Sequence, residues 1–253
     1  MNDEAKIWFE IKSNDIIKRD VEKVMEIIVG KSSGFCYGVK RAVESAEKDA
    51  SKVKENIYCL GEIVHNSDVV NELAQKGITF VENIDEVPEN STAIIRAHGV
   101  PKSVYEKAKE RNIKLRDYTC PNVLKIHKIA ETYAKNGYFI VLLGSSKHPE
   151  NIGTVSFCGE HYFVVQDEEQ ILLAVEEINR WRFNKVLVIS QTTFSLGSFY
   201  ILTDILENEL YERVELVVEN TICQATEIRQ KETEEISKKV DSMIIIGGKN
   251  SSN

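Results

Sequence analysis

Residues 139–143 read Phe139-Ile140-Val141-Leu142-Leu143 and are followed by Gly144-Ser145-Ser146-Lys147-His148, a polar cluster rich in small residues. A short apolar run without polar alternation is typical of a strand buried on both faces, as in a parallel sheet. Similar runs occupy residues 27–29, 57–60, 93–95, 162–165, 186–189, 214–218 and 243–246. Stretches with apolar residues at helical spacing lie between them, for example 39–46 and 123–133. This alternation predicts an α/β fold built mainly on parallel sheets.

The chain contains a weak internal repeat. Each unit begins with a cysteine between a strand-like and a helix-like segment, and these cysteines are Cys36, Cys120 and Cys223. A polar residue at the end of the next strand follows them after 29, 28 and 28 residues, and these residues are His65, His148 and Ser251. Near-equal offsets indicate related structural units. The sequence therefore predicts three pseudo-repeated α/β modules.

The cysteine positions also predict the module boundaries. Module 1 covers residues 26–119, including the strand that leads to Cys36, module 2 covers 120–219, and module 3 starts at 220. The first two cysteine-to-cysteine intervals are 84 and 103 residues long, whereas 30 residues follow Cys223. We therefore expect module 3 to be incomplete at residue 253, and residues 1–25 to be a peripheral extension without catalytic signals.

The composition excludes several classes of protein. The 253 residues include 32 Lys+Arg against 40 Asp+Glu, a formal net charge of −8, so the basic footprint of a nucleic-acid-binding protein is absent. No apolar run approaches the about 20 residues of a membrane-spanning helix, and the first residues lack the features of a signal peptide. The five cysteines are odd in number and scattered, so we expect a cytoplasmic protein with free thiols or metal ligands.

Two kinds of cysteine differ in their position. Cys59 and Cys158 fit the common role of small buried apolar residues. Cys36, Cys120 and Cys223 instead lie at strand-to-helix junctions, where a helix N-terminus lowers the pKa of a thiol. In a pseudo-threefold arrangement, their sulfur atoms can meet at one centre. Three thiolates that leave one position open suit either a catalytic zinc ion or an iron–sulfur cluster.

A second group of residues predicts a neutral pocket rich in hydrogen-bond donors. His65, His98 and His148 lie at strand ends beside small residues, where imidazole can donate to an anionic ligand. Hydroxyl and amide groups complete the pocket, and they belong to Thr192, Thr193, Ser251, Ser252 and Asn253. Such donors suit a phosphate group in an acidic protein. We expect a structural role for His161, and a structural or supporting role for His127.

Glu150 is the single carboxylate within these clusters, two residues after His148. A carboxyl group that is shielded from water beside an anion site can stay protonated and act as a general acid. Capping of a helix N-terminus explains the residue equally well from the sequence alone. Both interpretations stay open at this point.

Together these motifs resemble the 4-hydroxy-3-methylbut-2-enyl diphosphate reductase family, from about Glu26 to Asn253. The resemblance rests on eight segments in order: Gly34-Phe35-Cys36-Tyr37-Gly38-Val39, Glu62-Ile63-Val64-His65-Asn66, Arg96-Ala97-His98-Gly99-Val100, Asp117-Tyr118-Thr119-Cys120-Pro121, His148-Pro149-Glu150, Ser190-Gln191-Thr192-Thr193, Thr221-Ile222-Cys223-Gln224-Ala225-Thr226 and Gly248-Lys249-Asn250-Ser251-Ser252-Asn253. Each segment is weak evidence alone, but eight segments in the same order are specific.

The resemblance implies a trefoil of three α/β modules around a [4Fe-4S] cluster bound by Cys36, Cys120 and Cys223. It also implies that a diphosphate group is held by His65, His98, His148, Ser251, Ser252 and Asn253. Thr192 would orient the reacting end of the substrate, and Glu150 would supply protons.

The implied reaction converts (E)-4-hydroxy-3-methylbut-2-enyl diphosphate to isopentenyl diphosphate and dimethylallyl diphosphate, the last step of the methylerythritol phosphate pathway. Two electrons from reduced ferredoxin or flavodoxin and two protons remove the hydroxyl group as water. The family has a further pocket serine about 70 residues beyond its third cysteine. The resemblance therefore implies little or no activity for residues 1–253 alone.

Two other functions remain possible from the sequence. A quinolinate synthase-like dehydratase also combines three pseudo-repeated modules with a three-cysteine cluster, although residues 148–150 and 251–253 favour the diphosphate reductase. A zinc-binding structural or interaction protein could use the same three cysteines in a closed metal site. The colour and metal content of anaerobically purified protein separate these alternatives.

Overall fold

The computed structural model describes residues 25–52, 56–210 and 212–247. The predicted extension, apart from Met25, lies outside these ranges, as do Ser251, Ser252 and Asn253. Within the described ranges, helices alternate with strands along the chain. None of the helices there is long and apolar enough to cross a membrane.

The first sheet contains four parallel strands, β1 (Ile57–Leu60), β2 (Ile78–Val81), β3 (Thr92–Ile95) and β4 (Lys114–Asp117). Their order across the sheet is β2-β1-β3-β4. The helices of this part of the chain are α1 (Tyr37–Lys52), α2 (Ser67–Gln75) and α3 (Lys102–Glu110), with a short 3-10 turn at Ile84–Glu86.

The second sheet repeats this arrangement with β5 (Phe139–Leu143), β6 (Tyr162–Val165), β7 (Lys185–Ser190) and β8 (Glu215–Val218). The strand order β6-β5-β7-β8 follows the same permutation, again with parallel pairs throughout. The helices are α4 (Pro121–Lys135), α5 (Pro149–Val155), α6 (Glu168–Arg180), α7 (Leu196–Leu210) and, after the last strand, α8 (Gln224–Ser237).

The apolar run at residues 139–143 forms the inner strand β5, and all five of its side chains are buried. Alternate residues face opposite sides of the sheet. Val141 packs in the apolar cluster formed with α6 and α7, whereas Leu142 packs in the cluster that includes Ile126 and Ala130 of α4. Helices on both faces explain the lack of polar alternation in the strand. The predicted α/β class with parallel sheets is confirmed.

The structure contains two strands that the apolar runs did not predict. One is β2, and the other is β4, which has the sequence Lys114-Leu115-Arg116-Asp117. Both lie at an edge of the first sheet. The side chains of β4 are exposed or half-buried, because an edge strand is covered less completely than an inner strand. A strand of this kind needs no continuous apolar run.

The prediction of strands at residues 27–29 and 243–246 is wrong for the described structure. Neither run belongs to a strand, and the side chains of Ile27 and Ile244 are 72% and 86% exposed. The described residues place no strand beside either run. An apolar run forms a β-strand only when a partner strand pairs with its backbone. The module boundaries at 119/120 and 219/220 stay predictions.

Candidate functional site

Three helices begin at the three cysteines that the repeat identified. Cys120 and Cys223 are the N-cap residues of α4 and α8, and Cys36 directly precedes α1. Pro121 occupies the first turn of α4, where its missing N–H costs no helical hydrogen bond. All three cysteines line one central cavity of about 500 Å³. The three thiols therefore border the same space.

Burial raises the pKa of the Cys120 thiol above its usual value. The backbone N–H groups of Asn122 and Val123 act in the opposite direction, and the nearby Cys223 and Cys36 add to the increase. At Cys120, desolvation thus outweighs the helix N-terminus, contrary to the lowered pKa that the sequence predicted. A bound metal ion reverses this balance, because its charge stabilises the thiolate.

The other two cysteines lie away from the cavity. Cys59 is in the centre of the first sheet, and Cys158 packs against α4 and β5. Burial raises the pKa of both thiols to about 12, so neither ionises at neutral pH. Their positions agree with the buried apolar role predicted for them.

The three-cysteine centre fits a metal group with one open coordination position. A Cβ atom at Gly38 would lie 2.6 Å from Cys120 Sγ, so this sulfur occupies space that only glycine leaves free. Asn122 Nδ2 donates a hydrogen bond to Cys223 Sγ over 3.1 Å. Among the described residues, no fourth cysteine lines the cavity. Three sulfur ligands at one cavity suit zinc or an iron–sulfur cluster.

A cluster of three histidines lines the same cavity. His65 lies between β1 and α2, His98 follows β3, and His148 is the N-cap residue of α5. The ring centroid of His98 lies 4.7 Å from that of His65 and 5.5 Å from that of His148. One nitrogen from each of the three rings lies within 4.8 Å of the other two. Two different sheets thus bring three imidazoles around one small volume.

Two of these histidines, His98 and His148, are held in the neutral form. Burial lowers the pKa of His98 well below its usual value and that of His148 to about 4, and the charge of nearby Arg96 contributes in both cases. The backbone N–H of Glu150 donates to His148 Nδ1 over 3.2 Å, so the proton of this ring is on Nε2.

Three of the four ring nitrogens of the first-sheet histidines lack a hydrogen-bond partner among the described residues. Both ring nitrogens of His65 and Nδ1 of His98 are buried without a hydrogen bond within the described part of the chain. The closest carboxylate oxygen to His65 Nδ1 belongs to Glu62 at 3.6 Å, which is too long for a hydrogen bond. The positive charge of Arg96 disfavours a second cation here, so the orphaned nitrogens are better matched to an anionic ligand.

Glu150 is a fully enclosed carboxyl group at the edge of the cavity. The backbone N–H of Thr192 donates to Oε1 over 2.7 Å, and the Thr192 hydroxyl is hydrogen-bonded to Oε2 over 2.6 Å. Burial raises the pKa of Glu150 to about 7, although both hydrogen bonds oppose the increase. The carboxyl group can therefore gain and lose a proton near neutral pH. The capping alternative is wrong, because His148 caps the helix.

A buried amide network fixes the helix that carries Glu150. Asn151 Nδ2 donates to Gln191 Oε1 and to the backbone oxygen of Ser145, both over 2.9 Å. These bonds join the start of α5 to the ends of β5 and β7. A Cβ atom at Gly144 would lie 2.4 Å from Asn151 Nδ2, so the close approach requires glycine there. The positions of Glu150 and Thr192 relative to each other are thereby set by backbone and side-chain contacts.

Two residues at the site were missed by the sequence analysis. Arg96 lies close enough to His98 and His148 to lower their pKa values, its Nε is buried and unpaired in the described residues, and burial lowers its own pKa. Its place in the segment with His98 was a usable signal. Asn122 contacts the sulfur of Cys223, and nothing in its own sequence context indicated that contact.

The remaining predicted residues divide into three groups. Thr193 lines the cavity and accepts a hydrogen bond from Gln191 Nε2 over 2.6 Å. His127 stacks on Phe157 with ring centroids 4.2 Å apart, and His161 packs beside Phe183, so both are outside the cavity as expected. Ser251, Ser252 and Asn253 lie outside the described residues.

Comparison with known proteins identifies the family. The family described as LytB protein matches residues 27–253. Two relatives named 4-hydroxy-3-methylbut-2-enyl diphosphate reductase, from Caldanaerobacter subterraneus subsp. tengcongensis and Clostridioides difficile, are 41% and 38% identical. Each alignment covers 90% of this chain, and 77% and 80% of the respective relative.

A solved structure agrees with these relatives. It is described as (E)-4-hydroxy-3-methyl-but-2-enyl diphosphate reductase, the terminal enzyme of the non-mevalonate pathway, and it is 38% identical with a TM-score of 0.70. The superposition covers 89% of this chain and 78% of that structure. Since the family match extends over both sheets and every cysteine and histidine of the cavity, the chain belongs to the LytB protein family.

Proposed function

We propose that the protein reduces (E)-4-hydroxy-3-methylbut-2-enyl diphosphate to isopentenyl diphosphate and dimethylallyl diphosphate, the last step of the methylerythritol phosphate pathway. One observation carries the proposal: three thiols, three histidines and an enclosed carboxyl group border a single cavity. The names of the relatives support the same activity. The match to the LytB family favours this function over a quinolinate synthase-like dehydratase.

Cys36, Cys120 and Cys223 would hold a [4Fe-4S] cluster, with one cysteine from each proposed module (26–119, 120–219 and 220–253). When bound, the cluster would pass the donor's two electrons to the substrate one at a time and would offer a Lewis-acidic iron without a protein ligand. The protein must hold the substrate beside this centre and provide the protons. The residues around the cavity divide these tasks.

The three histidines bind the diphosphate group. Neutral imidazole rings donate N–H groups to phosphate oxygens, and His148 presents Nε2–H because its Nδ1 already accepts a hydrogen bond. Arg96 adds a positive charge close to His98 and His148, which attracts an anion, and Arg96 is not among the described residues that line the cavity. The resemblance adds Ser251, Ser252 and Asn253 as further donors.

Glu150 supplies protons to the reaction. The substrate's C–O bond at its hydroxyl-bearing carbon breaks, one proton converts the hydroxyl group to water, and a second proton with the two electrons completes either product. A carboxyl group with a pKa of about 7 is protonated in half of the molecules at that pH, as a general acid requires. Thr192 is hydrogen-bonded to Glu150 Oε2 and orients the reacting end of the substrate.

Reduced ferredoxin or flavodoxin would deliver the electrons in the cytoplasm. All five cysteines are free thiols, which supports a reducing compartment. The proposed reaction consumes two electrons per substrate, which a low-potential donor would supply.

Anaerobic purification tests the cluster directly. We expect a brown protein with broad absorbance near about 400 nm, and about four iron atoms per chain. Cys120→Ser should lose most of the iron, whereas the matched control Cys158→Ser should keep it, because only Cys120 faces the cavity. A colourless protein with one bound zinc ion would support the zinc-site alternative and reject the proposal. Full iron in Cys120→Ser would reject the ligand assignment.

A further inference from the structure

Two contacts connect consecutive cysteine motifs in the same way. Gly38 follows Cys36 by two positions and lies against Cys120 Sγ, which a Cβ atom would approach to 2.6 Å. Asn122 follows Cys120 by two positions and donates Nδ2 to Cys223 Sγ over 3.1 Å. In both motifs, the second residue after one cysteine contacts the sulfur of the next cysteine along the chain.

The helix positions explain this regularity. Gly38 and Asn122 are each the second residue of a helix that begins directly after its cysteine. The ends of the helices are held together by a further bond, from Arg41 of α1 to the backbone oxygen of Thr119 over 2.6 Å. The start of α1 is thus tied to the segment that leads into α4, and in both helices the second residue lies against the sulfur of the next cysteine.

We propose that these two positions adjust the three-sulfur centre, with Gly38 making room for the Cys120 sulfur and the Asn122 amide raising the reduction potential through its bond to Cys223. This inference rests on the proposed function, because it takes the centre to be a [4Fe-4S] cluster. It concerns Gly38 and Asn122, which are not themselves ligands of the proposed cluster.

The direction of the effect follows from the charge on sulfur. Reduction by one electron, supplied by dithionite, makes the cluster and its thiolate ligands more negative. A hydrogen bond from an N–H group stabilises the reduced form more than the oxidised form and raises the potential. Because a metal-bound thiolate can only accept, the amide nitrogen of Asn122, and not its oxygen, faces Cys223.

Asn122→Leu tests the hydrogen bond, because leucine has a similar volume and no donor. Asn136→Leu is the control, since Asn136 lies at the opposite end of α4 and bonds to the Thr132 backbone. Reductive titration of the reconstituted protein, followed by electron paramagnetic resonance, gives the midpoint potential. We expect the midpoint potential of Asn122→Leu to be lower than that of the wild type by about 30–60 mV. At the wild-type midpoint, the ratio of reduced to oxidised cluster is then about threefold to tenfold lower.

The iron content of each variant is measured alongside its potential. Unchanged iron with a lower potential in Asn122→Leu supports the proposal. An unchanged potential, or an equal shift in Asn136→Leu, overturns it. If leucine prevents iron binding, Asn122→Ala removes the donor without added apolar bulk, and the same lowered potential is expected.

Gly38→Ala tests the steric half of the proposal. Its control is Gly197→Ala, because Gly197 is also the second residue of a helix and its nearest contact is Ser195 Oγ at 3.9 Å. Alanine favours a helix over glycine, and in the metal-free protein rotation of the Cys120 side chain relieves the overlap with the new Cβ atom, so both metal-free variants should melt no earlier than the wild type. A bound metal group holds the Cys120 sulfur in place and removes this escape. We expect Gly38→Ala alone to lose more than half of the iron. Full iron with an unaltered cluster spectrum in Gly38→Ala would overturn the steric role.

Failure of this inference can be told apart from failure of the proposed function. Wild-type protein without iron rejects the proposed function. Iron-loaded wild type with an unaltered potential in Asn122→Leu rejects the inference about Asn122 alone.

Discussion

The polar groups that the two sheets contribute to the site differ in whether they have hydrogen-bond partners. At the end of the second sheet, both carboxylate oxygens of Glu150 are paired with Thr192. At the end of the first sheet, His65 and His98 present buried nitrogens without partners, and Arg96 Nε is also unpaired within the described residues. Unpaired buried polar groups are costly. The contrast indicates that the protein completes the proton site itself, whereas the ligand completes the anion site.

The two regions also respond to pH in opposite directions. Burial raises the pKa of Glu150 to about 7, and burial lowers the pKa of His148 to about 4. The folded state therefore loses stability through Glu150 as the pH rises from about 4.5 to about 7. It loses stability through His148 as the pH falls from about 6.5 to about 4. Burial in the cavity thus favours the neutral form of both Glu150 and His148.

The largest expected effect is on the proton site. In an enzyme of the relatives' full length, Glu150→Gln should retain iron and pyrophosphate binding but lose turnover about 10²- to 10⁴-fold, because the isosteric amide cannot supply a proton. Anaerobic steady-state rates with dithionite and a mediator measure the loss. A rate within a few-fold of the wild type would show that protons reach the substrate by another route.

The same substitution should change the pH dependence of stability. Glutamine has no proton to lose, so the variant escapes the stability loss of the wild type at high pH. The free energy of unfolding of Glu150→Gln minus that of wild type should therefore be larger (the variant relatively more stable) by about 3 kcal/mol near pH 8 than near pH 4.5. Urea unfolding of the metal-free proteins at both pH values measures this difference. Glu169→Gln, at an exposed position in α6, is the control and should match the wild type. Parallel pH profiles for Glu150→Gln and wild type would contradict a raised pKa.

A smaller effect is expected at the anion site. His98→Ala should weaken pyrophosphate binding about 10- to 100-fold while the cluster spectrum stays the same, because one hydrogen bond to a charged ligand is lost. Isothermal titration calorimetry under anaerobic conditions gives the affinities. His161→Ala should bind like the wild type, since His161 packs against Phe183 outside the cavity. Equal affinity in His98→Ala and wild type would move the anion site elsewhere.

The inner strands and the helix starts could be predicted from the sequence because local signals agree with the tertiary environment there. The run at 139–143 is apolar on both faces, and both faces are covered. Cys120 and Pro121 carry the signals of a helix start and lie at one. Edge strand β4 gave no such signal. It pairs with β3 alone, and its polar side chains are tolerated because they are exposed or half-buried.

Residues 27–29 and 243–246 show the opposite error, because the sequence predicts strands there and the described structure has none. Their composition satisfies the rule for a buried strand, but no strand of either described sheet pairs with them. Backbone pairing is a property of two segments, so the sequence of one segment cannot decide it. Asn122 illustrates the same limit at the site, because its contact with Cys223 joins residues about 100 positions apart.

By itself, the sequence determined the α/β class, the three cysteines at helix starts and the polar residues at strand ends, because periodicity and capping act over a few residues. Tertiary structure decided that the three thiols, the histidines of both sheets and Glu150 share one cavity. It also decided the protonation states. The pKa of Glu150 rises, and those of His98 and His148 fall, because distant parts of the chain exclude water from these groups.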